Sequence, residues 1–152
     1  MCNVIFEQFP QAELLADVAT AGIAWGAMAA DQLKLPYVYV RPKPKEHGLG
    51  NQIEGFYEAG QKVLVIEDLI STGKSSLQVC DVLKAAGVEV VGMVSIFTYG
   101  FDVADNAIIW NLEPQSVLVR LSGVDSHGRL RHIVGRNDVC QRDVDVRRCP
   151  PD

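Results

Sequence analysis

The sequence predicts an α/β fold, a type of architecture in which a parallel sheet is flanked by helices. Three observations carry that expectation. Strand and helix signals alternate from residue 12 to residue 107, as repeated strand–helix–strand units require. The segment Lys62-Val63-Leu64-Val65-Ile66 ends in four successive apolar residues, three of them β-branched, as strands buried on both faces do. The chain has 152 residues, 48% apolar and 22% charged, which suits one globular domain with a sizeable core.

Each element has its own local reason. Leu14 to Ala19 is a short, mainly apolar run ending in Thr20-Ala21-Gly22, which reads as a buried strand and a tight turn. Ile23 to Leu33 is rich in alanine, places Ile23, Ala27, Ala30 and Leu33 at helical spacing, and must stop before Pro36. Tyr37-Val38-Tyr39-Val40 forms a second strand, followed by a polar loop from Pro42 to Gln52. Lys62 to Ile66 is the third strand. Lys74 to Ala86 is a helix with Leu77, Cys80 and Leu83 on one face and Gly87 as its stop, and Glu89 to Ile96 is the fourth strand. The aromatics Tyr37, Tyr39, Phe97, Tyr99 and Phe101 are expected in the core or at an interface, and Trp25 at a dimer or core surface.

Cationic residues divide the chain. The lysines all lie at or before Lys84, whereas every arginine except Arg41 lies between Arg120 and Arg148. Residues 1–107 are therefore expected to form the core domain. Residues 108–152 are expected to be an atypical tail, frameshifted or poorly ordered, within which Val117 to Leu121 could supply an edge strand. His132 and Cys140 in that tail lack the spacing of zinc ligands.

Several function classes are excluded early. No stretch approaches about 18 uninterrupted apolar residues, so no membrane-spanning helix is expected. Met1 to Glu7 lacks the basic flank and apolar run of a signal peptide. Cys2, Cys80, Cys140 and Cys149 form no CxxC pair and are expected as free thiols in the cytoplasm. A net charge of −5 argues against a general nucleic-acid binder.

In open parallel sheets, ligands bind beyond the carboxyl ends of the strands. Three chemically loaded loops leave those ends: Thr20-Ala21-Gly22, Pro42 to Gln52, and Glu67 to Ser75. Carboxylates at Glu67 and Asp68, at the end of a buried strand, are costly unless a cation or hydroxyl donors meet them. Just beyond, Ser71 or Thr72 is expected to cap the Lys74 helix, whose N-terminal amides and hydroxyls make a phosphate cradle. An acid pair beside such a cradle suits a sugar phosphate, with carboxylates to its hydroxyls and amides to its phosphate. Gly73-Lys74-Ser75 matches only the end of a P-loop, whose first glycine would fall on Asp68. Gly48-Leu49-Gly50 fails as a dinucleotide motif because Ile53 stands at the third glycine.

Val65-Ile66-Glu67-Asp68-Leu69-Ile70-Ser71-Thr72-Gly73-Lys74-Ser75 resembles the 5-phosphoribosyl 1-pyrophosphate (PRPP) motif of type I phosphoribosyltransferases. The stretch from Arg41 to Gly55, with Lys43, Lys45, His47, Gly48 and Gly50, resembles the mobile catalytic loop of the orotate phosphoribosyltransferase family, and Val18 to Ile23 its pyrophosphate loop. The likeness runs from about Val4 to Ala107. It implies a type I phosphoribosyltransferase-like sheet and transfer of ribosyl 5-phosphate from PRPP to orotate, with Mg2+ carried by the pyrophosphate and no direct protein ligand to it. It further implies Lys45, His47, Arg41 and Asp68 as catalytic residues, with Lys43 beside them on PRPP. Glu67 and Asp68 would hold the ribose hydroxyls. Leu69, Ile70, Ser71, Thr72, Gly73, Lys74 and Ser75 would hold the 5-phosphate, Ser71 would also touch orotate, and Thr20, Ala21 and Gly22 would face pyrophosphate. A homodimer sharing the catalytic loop between subunits is implied as well. The competing expectations are a purine or uracil phosphoribosyltransferase, or a PRPP-binding remnant or regulator. Two departures accompany the likeness: the family's N-terminal hood over the base has no counterpart here, and Ser95 to Phe101 carries no arginine where many members have one.

Overall fold

The computed structural model describes residues 1–44, 51–99, 117–124 and 130–133, the last two stretches as backbone only. In chain order the elements are α1 (Cys2–Gln8), β1 (Leu14–Val18), α2 (Ile23–Leu33), β2 (Tyr37–Val40), β3 (Ile53–Gly55), β4 (Lys62–Ile70), α3 (Lys74–Ala85), β5 (Glu89–Thr98), β6 (Val117–Val124) and β7 (Leu130–Ile133). The described strands form one sheet in the order β3-β2-β1-β4-β5-β6-β7. The most continuously apolar strands lie innermost, because only there are both faces covered. β2, β1, β4, β5 and β6 run parallel, while β3 and β7 pair antiparallel at the two edges, so the sheet is mixed rather than wholly parallel.

Alternation along the strands divides the core between the faces. Leu14, Ala16, Val63, Val65 and Met93 pack with Val79, Cys80 and Leu83 of α3. Leu15, Leu64, Ile66 and Val94 pack with Ile5 and Phe9 from the α1 region and with Ala29 and Ala30 of α2. Each fully buried leucine or valine contributes about 1.5–3 kcal/mol by leaving water. The buried face of α2 is Gly26, Ala29 and Ala30, while Ala27 of the expected stripe is exposed. Small residues on that face let the helix lie close against β1.

The boundaries of α2 agree with the periodicity of the sequence, and α3 ends at Ala85, with Gly87 just beyond in the left-handed conformation at φ 83°. β4 and β5 continue past the expected ends at Ile66 and Ile96 to Ile70 and Thr98. Glu67 and Asp68 are thus strand residues, with Glu67 in register with Ser95 of β5 and Leu69 with Phe97, and not the start of a loop. Val117 to Leu121 is strand, as part of β6, but it is internal to the sheet because β7 covers its outer side.

Candidate functional site

The carboxyl ends of β1 and β4 open onto a cleft of about 360 Å³, lined by Val18 to Ala21 on one side and Glu67 to Ser76 on the other. That volume is within the range of small-molecule sites. Adjacent parallel strands deliver the two walls: Asp17 pairs with Ile66, so the turn after β1 and the acid pair at the end of β4 emerge side by side.

Glu67 is 4% exposed and faces α3, where the Ser76 hydroxyl donates a hydrogen bond to its Oε2 at 2.8 Å. Burial pushes the Glu67 carboxyl up to about 8; the neighbouring Asp68 acts in the same direction, while the Ser76 hydroxyl opposes it. Asp68 is partly exposed in the same cleft. The turn then passes through Ser71 and Thr72 to Gly73, which takes the N-cap position of α3 at φ 76°. A side chain there would be strained, so glycine suits the position. No side chain caps α3, contrary to the cap expected from Ser71 or Thr72: Gly73 occupies the N-cap itself, and the two hydroxyl residues precede it. The first amides of a helix lack intrahelical partners, and the first residues of α3, Lys74, Ser75 and Ser76, line the cleft.

Thr20 and Ala21 line the opposite wall, after a cis Ala19–Thr20 peptide, and Gly22 closes the turn by donating its N–H to the Val18 carbonyl at 3.3 Å. Glu67, Asp68, Leu69, Ile70, Ser71, Thr72, Gly73, Lys74 and Ser75 all reach the cleft. Arg41 and Lys43 are not among its lining residues. Arg41 Nε lies 3.5 Å from Glu54 Oε1 on β3. Its N–H donates to the Gln52 carbonyl at 2.9 Å, the Gln52 side-chain amide donates back to the Arg41 carbonyl at 2.9 Å, and Gln78 of α3 donates to the Pro42 carbonyl at 2.8 Å. The two ends of the loop are therefore tied together and to the helix that follows the acid pair. Lys45 and His47 lie outside the described residues. Among the described residues no three His, Cys, Asp or Glu side chains cluster as a metal cage, and no helix is long and apolar enough to cross a membrane.

One buried acid was not visible as such in the sequence. Asp17 is fully buried on β1, and among the described residues neither carboxyl oxygen has a well-aligned hydrogen-bond partner. The Tyr37 hydroxyl and the Gly26 amide lie near enough to favour its ionised form, although the hydroxyl donates to the Ile23 carbonyl at 3.2 Å and the amide to the Gly22 carbonyl at 3.1 Å. Burial pushes Asp17 up to about 8. A Cβ on Gly26 would collide with the Asp17 carboxyl, so the glycine is what leaves room for it. The only signal in the sequence is an acid inside an apolar run, nine residues before a glycine in a helix.

A family model described as phosphoribosyl transferase domain matches residues 13–107. Orotate phosphoribosyltransferase of Bacillus subtilis is 61% identical over 105 residues, covering 69% of this chain and 49% of the relative. The enzyme of the same name from Cytophaga hutchinsonii is 52% identical over 106 residues, covering 70% and 51%. The chain thus spans about half the length of the curated relatives it matches. The crystal structure of orotate phosphoribosyltransferase from Aeropyrum pernix superposes with a TM-score of 0.65 at 28% identity, covering 80% of this chain and 68% of that one. A family match across residues 13–107 of 152 and relatives above 50% identity lead to one conclusion: the chain belongs to the phosphoribosyl transferase domain family.

Proposed function

We propose that this chain transfers the 5-phosphoribosyl group of PRPP to N1 of orotate, giving orotidine 5′-monophosphate and pyrophosphate. The observation that carries this reading is the cleft that joins Thr20 and Ala21 to the run from Glu67 to Ser76. A sugar phosphate carries hydroxyls at one end and dianionic oxygens at the other, and these walls supply carboxyl groups and helix-terminal amides in that order. The orotate choice rests on the relatives named for it and on the Lys45-Glu46-His47-Gly48 loop sequence.

As the bond from ribose C1 to pyrophosphate lengthens, positive charge grows on the ring and negative charge on the leaving group. Asp68, with Glu67 beside it, would hold the ribose hydroxyls and steady the ring. The turn from Ser71 to Ser75 would hold the 5-phosphate, with Ser71 also reaching orotate. Thr20, Ala21 and Gly22 would present backbone to the pyrophosphate. Arg41, Lys43, Lys45 and His47 would meet its charge, which requires the loop carrying them to reach this cleft. Such closure excludes water, to which PRPP would otherwise be lost. Mg2+ would be carried by the pyrophosphate of the substrate, with the backbone of Thr20 and Ala21 facing that group. When bound, that ion would offset the pyrophosphate charge.

A homodimer sharing the loop between subunits is part of the same proposal. The exposed side chains of Trp25 and Met28 on α2 support it, because large apolar groups side by side on one helix are costly to leave in water. Cytoplasmic location is proposed as well, consistent with the free Cys2 and Cys80 thiols.

The test is orotate consumption followed by ultraviolet absorbance, with purified chain, PRPP and Mg2+, beside uracil and hypoxanthine. Consumption of orotate alone, abolished in Lys45→Ala, supports the proposal. Turnover of uracil or hypoxanthine in its place overturns the base assignment, and turnover of no base leaves the family membership standing and overturns the activity proposed for this chain.

A further inference from the structure

Ser76 lines the cleft, and its side chain is spent on another side chain. It is 1% exposed, belongs to the first turn of α3, and donates to Glu67 Oε2 at 2.8 Å. Asp68 adds a backbone N–H, which favours the carboxylate, and its own carboxyl, which favours the neutral acid; no second hydroxyl reaches Glu67 among the described residues. Ser95, in register with it on β5, donates its own hydroxyl to the Phe97 carbonyl at 2.6 Å. The other titratable groups facing Glu67 are Asp68, from its own strand, and the Cys80 thiol of α3, held neutral by burial that pushes it up to about 12. Val18, at the end of β1, is apolar. One hydroxyl therefore fixes the rotamer of a buried acid that shares the cleft with the proposed ribose site.

We propose that Ser76 is a positioning residue: by engaging Oε2 it fixes the Glu67 carboxyl against α3 and favours the ionised form that accepts hydrogen bonds from a sugar's hydroxyls. This rests on the functional reading above and deepens it. A neutral carboxylic acid both donates and accepts, whereas a carboxylate only accepts. A buried carboxyl that loses its single hydroxyl donor is driven further toward the neutral form. Hydrogen bonds to ionised groups are the stronger class, so removing this one should raise the midpoint of Glu67 by about one pH unit.

The experiment has two arms on the full chain. Side-chain carboxyl NMR follows the Glu67 titration without ligand in wild type, Ser76→Ala and Ser76→Thr. Calorimetry follows PRPP binding in the same proteins across pH. The expected result is an upward midpoint shift of about one unit in Ser76→Ala and a wild-type midpoint in Ser76→Thr, which keeps the hydroxyl. PRPP affinity should fall about tenfold at pH 7 in Ser76→Ala, with the deficit closing above about pH 9, where both proteins carry ionised Glu67. In a Glu67→Gln background, Ser76→Ala should add no further loss. That comparison decides the matter even if the extra methyl of threonine is not accommodated. An unchanged midpoint, or an additive loss in the Glu67→Gln background, overturns the proposal. Failure of wild type to bind PRPP, with the midpoint shift present, instead overturns the functional reading and leaves the Ser76–Glu67 coupling standing.

Discussion

Glu67 and Asp17 are both acids on adjacent central strands, both buried and both pushed up to about 8, yet their surroundings differ. Glu67 lines a cleft, receives a hydroxyl from Ser76 and stands beside a second acid. Asp17 lies under α2 with no well-aligned partner among the described residues, its neighbouring donors Tyr37 and Gly26 shared with backbone carbonyls. The same displacement therefore accompanies access and a partner in one place and a packing compromise in the other. A perturbed acid marks a site only when something can reach it.

Four experiments test that contrast. The largest effect is expected at the cleft: if the loop meets the departing pyrophosphate there, Lys45→Ala should lower orotate turnover by about 10²–10³-fold, as removal of one preorganised donor does. Steady-state kinetics checks this, and a loss below tenfold would detach the loop from the chemistry. Next is the packing compromise. Gly26→Ala drives a methyl into the Asp17 carboxyl and should cost about 1–3 kcal/mol in denaturant unfolding. In an Asp17→Gly background most of that cost should vanish, because the clash has no second partner. Additive effects would mean that Gly26 serves some other neighbour.

The third test is pH dependence. Asp17 is raised in the folded protein, from 3.8 to about 8, so the folded state retains a proton that the unfolded chain releases above 3.8. Its contribution is fully favourable below that value and is lost progressively as pH rises toward about 8. Asp17→Asn removes this titration, so the fall in Tm between pH 5 and pH 8 should be smaller in the variant by several degrees. Glu67 titrates over the same window and stays in both proteins, so the difference isolates Asp17. Parallel curves would contradict the buried, unpartnered state. The smallest effect is expected at the sheet edge. Glu54→Gln breaks an Arg41 pair at 3.5 Å that is partly open to solvent, and should cost less than about 1 kcal/mol in thermal unfolding.

The same contrast explains what could be read from the sequence. α2 and the strands β1, β2, β4 and β5 were legible because their apolar runs and helical spacing extend over enough residues to show a period. The motif residues of the cleft were legible because acids, glycine and hydroxyls cluster between Glu67 and Ser76. β3, from Ile53 to Gly55, is too short to show a period, and α1 is only seven residues. The extension of β4 through Glu67 and Asp68 was hidden because two acids in succession look like a loop, whereas here the backbone pairing with β5 continues through them. Asp17 and its fit to Gly26, and the bond from Ser76 to Glu67, depend on which strand faces meet which helix. No local pattern states that.

The most direct test of the central claim, that the Thr20–Ala21 turn and the Glu67–Ser76 segment form one sugar-phosphate site, is calorimetric titration of PRPP with Mg2+ into wild type and Asp68→Asn. The account predicts saturable one-site binding by wild type, weakened about 10–100-fold in Asp68→Asn, as loss of hydrogen bonds to a charged group requires. Equal binding by both proteins would contradict it.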